Sequence, residues 1–243
     1  MGLLDLIGLG GPEGKLRRLS RKAMEKFGPP ENRQGAIEEL GGLKTEASVE
    51  ALLQRYTFRV DPGITDDEEK ARVMALVAQT GATAVAPVKR FILSRDEISW
   101  PLRALTDLLP EPEAVKFLIE VARKVGSEYS RVPEKKVLLL HALAQHKSAE
   151  IVSVVLPFLD DMDDEVQIAA AEVIAWQQDP AGREPLIQHL LAAHQGSNAR
   201  VREALAGLLA ESAWDVKGYT PKVEAALPSG YKLDSKGKVQ RKT

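Results

Sequence analysis

The chain has 243 residues, 44% of them hydrophobic, enough for one large domain or two small ones with a real core. It has no cysteine, which excludes disulfides, thiolate metal sites and thiol nucleophiles, and no run of about 18 apolar residues that would cross a bilayer as a helix. The net charge of −2 is unevenly spread: residues 1–30 carry +3, residues 214–243 carry +4 and the body between them −9. That body is a poor basis for wrapping duplex nucleic acid, whose affinity rests largely on phosphate neutralisation.

The chain opens with "MGLLDLIGLGG" (Met1–Gly11), in which Leu3, Leu4, Leu6, Ile7 and Leu9 form the core of an apolar arm over residues 1–13. It lacks the basic segment and small-residue cleavage site of a secretory signal, and Leu6 breaks the myristoylation pattern, so the expected location is cytoplasmic. The basic helix that follows, "GKLRRLSRKAMEKFG" (Gly14–Gly28), sets Leu16, Leu19, Ala23 and Phe27 along one stripe. Three roles for residues 1–27 stay open: docking on the protein's own first helices, peripheral contact with an anionic membrane, and insertion into a partner's groove.

From residue 14 to 213 a layout recurs. In "AIEELGGLKTEASVEALL" (Ala36–Leu53) Leu40 is followed by Val49 and Leu52. In "ALVAQTGATAVAPV" (Ala75–Val88) Leu76 is followed by Val85 and Val88, and in "HALAQHKSAEIVSVV" (His141–Val155) Leu143 by Val152 and Val155. "DDEVQIAAAEVIAWQQDPAGREPLIQHLL" (Asp163–Leu191) has Ile174 and then the run from Pro185 to Ile187. The i, i+3 pairs share a helical face. Leu52, Val88, Leu118, Val155 and Leu186 are spaced 36, 30, 37 and 31 residues apart, a period that signals stacked helical hairpins. Residues 214–243 form a cap: Thr220 and Pro221 predict an N-cap and first turn, and "YKLDSKGKVQR" (Tyr231–Arg241) a β-hairpin around Asp234–Gly237.

Acidic inter-repeat turns, an Ala-rich first helix and an A-V-x-x-L type second helix make residues 31–213 similar to HEAT and armadillo repeats, and closest to the short bacterial HEAT-like (PBS-lyase-type) class. Only "ARVREAL" (Ala199–Leu205) carries the usual Val-Arg, and in "SWPLRALTDLLPEPEAVKFLI" (Ser99–Ile119) Thr106 stands where the other units place Leu or Ile. The resemblance implies an all-α fold, a right-handed α-solenoid of about five to six hairpins closed by the C-terminal helix and β-hairpin. It also implies that second helices line the concave side. The body is too acidic for the basic channel of HEAT-like DNA glycosylases.

The acidic runs "DDEE" (Asp66–Glu69) and "DDMDDE" (Asp160–Glu165) precede first helices and are expected to cap them, because carboxylates accept from free N–H groups and meet the positive helix end. They lack the ligand spacing and central glycine of a calcium loop. His141 and His146, like His189 and His194, are five apart, a rotation of about 140° on a helix, so neither pair shares a face. With no nucleophile elbow or phosphate loop either, the expectation is no catalytic residue, no metal and no cofactor. Trp100, Trp176 and Trp214 are the residues most suited to an interaction hot spot, although packing between hairpins is the default for all three. Ala170 is expected to face the interior of its hairpin.

On approximate boundaries the second helices carry Arg55, Arg59, Lys89, Arg90, Lys116, Arg123, Lys124 and Arg183 against Glu50, Glu113, Glu120, Glu150 and Glu184, a balance of +3. The expected function is a monomeric, non-enzymatic scaffold or adaptor that binds an acidic protein segment through Arg55, Lys89, Arg90, Lys116, Arg123 and Lys124. The alternatives are an accessory or catalytic protein of the bilin-lyase HEAT-like type and nucleic-acid binding through the basic ends.

Overall fold

The computed structural model describes residues 11–126 and 129–242. The apolar arm lies outside them apart from its last three residues. The described residues form thirteen α-helices and one two-stranded sheet, an all-α arrangement apart from that C-terminal hairpin. The chain divides into two compact units, Met1–Ala114 and Val115–Thr243.

In the first unit α1 (Pro12–Ala23), α2 (Pro30–Leu43), α3 (Glu46–Leu53), α4 (Gly63–Thr80), α5 (Ala82–Ser94) and α6 (Ser99–Leu108) follow one another through short turns. Helix starts are local in origin. Proline occupies the first turn of α1 and α2, where its missing N–H costs nothing. A reciprocal Thr45–Ser48 capping box opens α3. Lys44 closes α2 in the left-handed conformation at φ 50°. Helix α1 packs on α2 and α3, first helix α2 packs on first helix α4 and then α4 on α6, and second helix α3 packs on second helix α5.

Helix α7 (Glu111–Val125) leads into the second unit, which continues with α8 (Glu134–Ala144), α9 (Ala149–Val155), α10 (Asp164–Gln177), α11 (Arg183–Gln195), α12 (Ala199–Glu211) and α13 (Thr220–Ala226). Again first helices stack on first helices, α8 on α10 and α10 on α12, while α11 meets α13. Strands β1 (Tyr231–Leu233) and β2 (Val239–Arg241) pair antiparallel around the turn at Asp234, as expected, and rest on α13 and α12. A two-stranded ribbon is marginal alone and needs that support. This alternation of contacts is compatible with a helical repeat fold.

Most of the apolar landmarks are core residues, Val85 and Pro185 being half-buried. Leu40, Leu52, Val88, Leu143, Val155, Ile174 and Leu186 are fully buried, and so is Ala170. Three local readings change. In the third hairpin the buried position is Leu105 and Thr106 is exposed, so that unit keeps the register one residue earlier. Helix α1 ends at Ala23, which leaves Phe27 outside its stripe and 93% exposed. Helix α13 takes Tyr219 as its N-cap, one residue before Thr220, with no side-chain cap bond.

One further regularity appears only in the folded chain. Seven residues before the buried first-helix residues Leu40, Leu76, Leu105, Leu143, Ile174 and Leu209 stand Arg33, Glu69, Ile98, Lys136, Gln167 and Arg202. Five of the six are polar at a position the helical period turns inward. Arg33 and Glu69, on successive first helices, bond to each other: Arg33 donates from Nε and Nη2 to the two Glu69 oxygens at 2.7 and 2.8 Å. Lys136 reaches Asp161 at 2.6 Å, Gln167 donates to the Asp161 carbonyl, and the other end of Gln167 meets His189 at 3.1 Å. A buried polar group without such a partner costs roughly 1–3 kcal/mol, and the Arg33–Glu69 pair ties first helix α2 to first helix α4.

Candidate interaction surface

The charges expected on the second helices divide into three groups. Arg55 is 0% exposed; it sits in the 3-10 turn Gln54–Thr57 after α3 and donates to Glu69 and Asp66 at 2.8 and 2.7 Å and to the Phe58 carbonyl. It is a core residue, withdrawn from any binding surface because α4 brings two carboxylates to it. Lys70 joins the same group through Asp66 at 2.7 Å.

Arg90 and Arg123 are exposed but held. Arg90 on α5 bonds Glu46 and Glu50 of α3 at 3.0 and 2.7 Å, and Arg123 on α7 bonds Glu150 of α9 at 3.0 Å. Exposed pairs of this kind add little stability, yet they cancel the field that an acidic segment would feel. Lys116 and Lys124 are exposed on α7, and Lys89 is half-buried on α5.

Helix boundaries also change the balance. Arg59 lies outside the helices, whereas Glu46 and Glu111 lie inside α3 and α7. The five second helices then hold Lys89, Arg90, Lys116, Arg123, Lys124 and Arg183 against Glu46, Glu50, Glu111, Glu113, Glu120, Glu150 and Glu184, near neutrality instead of +3. Three of the six cations, Lys116, Arg123 and Lys124, share α7 with Glu111, Glu113 and Glu120.

The tryptophans separate in the same way. The Trp100 ring stacks on buried Tyr56 with centroids 6.2 Å apart and planes 4° from parallel, and Arg103 covers it. Trp214 lies against Gly182, where an added Cβ would come within 3.3 Å of its ring. Both are packing residues. Trp176, in the last turn of α10, is 59% exposed.

Trp176 is held from the neighbouring hairpin turn. Lys147, between α8 and α9, donates to the Trp176 carbonyl and places its ammonium 4.7 Å from the ring centroid. Gln177 donates to the His146 carbonyl at 2.8 Å, and its oxygen accepts from the Ser148 N–H. A large aromatic with a cation over its face thus stands on a turn tied at three points. Nothing in the sequence pairs Lys147 with Trp176, which are 29 residues apart; the signal would have been that this is close to one repeat.

The acidic runs are structural in two different ways. Asp163 caps α10, accepting from the N–H groups of Glu165 and Val166, as expected. "DDEE" caps nothing: it lies within α4, where Asp66 and Glu69 turn inward to the arginines. Burial alone pushes the Asp66 carboxyl up, but hydrogen bonds from Lys70, Arg55 and the Val60 N–H, with the Arg55 charge, outweigh it and hold it at about 2. Glu69 follows the same logic: burial raises it, and Arg33 and Arg55 bring it below the usual carboxylate range. Burial lowers His189, which meets Gln167. Among the described residues no three His, Asp or Glu side chains are placed to share a metal ion.

A groove of about 630 Å³ opens among α10, α12 and the β-hairpin, with Ile168, Leu208 and Tyr231 in its lining. Its arginines are matched locally, Arg200 to Glu165 and Arg241 to Glu211. No helix among the described residues is long and apolar enough to cross a membrane.

No family model matches this chain, and no curated protein matches it. A crystal structure of an engineered protein, from the Northeast Structural Genomics Consortium, is 19% identical to it with a TM-score of 0.41, over 93% of this chain and 64% of that one. A likeness that loose carries no argument about fold or function.

Proposed function

We propose that this protein is a non-enzymatic scaffold, a right-handed HEAT-like α-solenoid of about five to six hairpins, that captures an acidic segment of another protein. The observation that supports this reading best is Trp176, 59% exposed and held by Lys147 on a turn that is itself bonded in place. A rigid aromatic loses little entropy on contact, and tryptophan is enriched among residues that dominate binding energy. An apolar side chain of the partner would lie on the indole while an acidic neighbour met Lys147. Lys116, Arg123 and Lys124 supply further cations toward the end of α7, weaker than the sequence suggested because Arg123 is shared with Glu150 and the helix also carries Glu111, Glu113 and Glu120.

The test is crosslinking and mass spectrometry in cells of the source organism, with three variants compared with the wild type. Trp176→Ala should lower recovery of the specific partner by about tenfold or more, the scale of a hot-spot truncation. Reversal of Lys116, Arg123 and Lys124 to Glu should slow capture most at low salt. Reversal of Glu38, Glu39, Asp67 and Glu68 on the first helices should leave capture intact. Loss of the partner in that control, with full capture by Trp176→Ala, would place binding on the outer faces of α2 and α4 and refute the assignment.

A further inference from the structure

Helix α1 is asymmetric in charge, with its apolar side chains on one face and its arginines on the other. Leu19 and Ala23 are buried against the following helices. At about 100° per residue, Arg17, Arg18 and Arg21 fall within an arc of about 100° on the opposite face. All three are exposed, as is Lys22 beside them. Lys15 pairs with Glu39 at 3.4 Å. Glu13 and Glu25 are the acidic residues between Pro12 and Gly28, so the stretch is strongly cationic against an acidic body.

The turn after α1 adds an apolar group. Phe27 is 93% exposed, with the Lys26 ammonium 5.4 Å from its ring centroid. The turn itself is pinned: the Glu25 N–H donates to the Lys22 carbonyl, and the buried Arg33 donates from Nη1 to the Glu25 carbonyl at 3.0 Å. A phenylalanine held in water on an anchored turn, at the end of a helix with three arginines on its outer face, has the composition of a membrane-surface contact. The sequence before the helix agrees, since residues 3, 4, 6, 7 and 9 are Leu, Leu, Leu, Ile and Leu. Aliphatic side chains and an exposed phenyl ring have a use at a lipid headgroup boundary and little at a phosphodiester backbone.

We infer that α1, with Lys26 and Phe27, docks the protein peripherally on an anionic bilayer, the arginines meeting lipid phosphates and carboxylates and Phe27 entering the headgroup layer. It shares no residue with the site built on Trp176, so the two readings stand or fall apart. Each basic residue near an anionic leaflet contributes on the order of 1 kcal/mol, about fivefold in partitioning, and the attraction fades beyond a Debye length.

The full chain should cosediment with phosphatidylcholine vesicles containing about 30% phosphatidylserine at about 0.1 M salt, and much less with phosphatidylcholine alone or in about 0.5 M salt. Arg18→Glu/Arg21→Glu/Lys22→Glu should lose binding by at least about tenfold. Phe27→Ser, at a residue with almost no contact to the fold, should weaken it severalfold while far-UV circular dichroism stays unchanged, which covers the case in which the triple variant misfolds. Failure to bind the serine-lipid vesicles, equal binding to neutral ones, wild-type binding by both variants, or a preference for duplex DNA over the vesicles would each overturn the inference.

Discussion

Replacing Glu69 by Ala removes the acceptor for three hydrogen bonds, from Arg33 Nε, Arg33 Nη2 and Arg55 Nε at 2.7, 2.8 and 2.8 Å. Two guanidinium groups, 2% and 0% exposed, are then left buried with one carboxylate, Asp66, and a few carbonyls between them. Breaking a buried ion pair from one side costs about 3–5 kcal/mol, because the remaining charge stays desolvated. For a chain of this length that is a fall in melting temperature on the order of 10 °C. The assay is thermal and urea unfolding followed by far-UV circular dichroism on Glu69→Ala, Arg33→Ala and the double variant.

The double variant should be far less unstable than the two losses added together, since Arg33 and Glu69 lose each other only once. The acid limb gives a second reading of the same group. Asp66 and Glu69 have folded pKa values below their unfolded ones, Asp66 at about 2. Their contribution is therefore fully present above the unfolded carboxylate range, near pH 4, and is lost as pH falls through the folded values. For Asp66 alone it amounts to about 2 kcal/mol. Glu69→Ala should lose part of this steepness between about pH 4 and 2. A Glu69→Ala protein that melts within about 1 kcal/mol of the wild type, or losses that simply add, would show that the cluster is not a coupled, buried network.

Ala170→Glu places a carboxylate at a fully buried site in α10 and should destabilise by several kcal/mol; urea unfolding at the wild-type midpoint would mean that this face of α10 is not core. Asp163→Ala removes the α10 cap and should cost about 1 kcal/mol, and neither calcium nor EDTA should shift the melting temperature of the wild type or the variant. A calcium-dependent rise in the wild type that Asp163→Ala abolishes would identify the turn as a metal site instead.

Helices and their inward residues were legible because the signal is local. Leu40, Leu143 and Ile174 repeat an i, i+3, i+4 grammar that a helix reads within one or two turns, and the Asp234–Gly237 turn names its own hairpin. A single polar substitution in that grammar blurred it: Thr106 drew attention one residue past the buried Leu105.

Charge was not legible in the same way. Arg55 and Lys116 look alike in sequence, yet one is enclosed by Glu69 and Asp66 and the other is in water. Asp66 looked like a cap and is a core counter-ion. The sequence by itself determined an all-helical chain with regularly spaced apolar landmarks and a cationic, amphipathic first helix. Only the tertiary structure decided which ions leave water, because that depends on a countercharge 11, 14 or 36 residues away arriving within 3 Å. Tertiary packing likewise left Trp176 outside while stacking Trp100 on Tyr56, since the same indole is core or surface according to whether a neighbouring helix covers it.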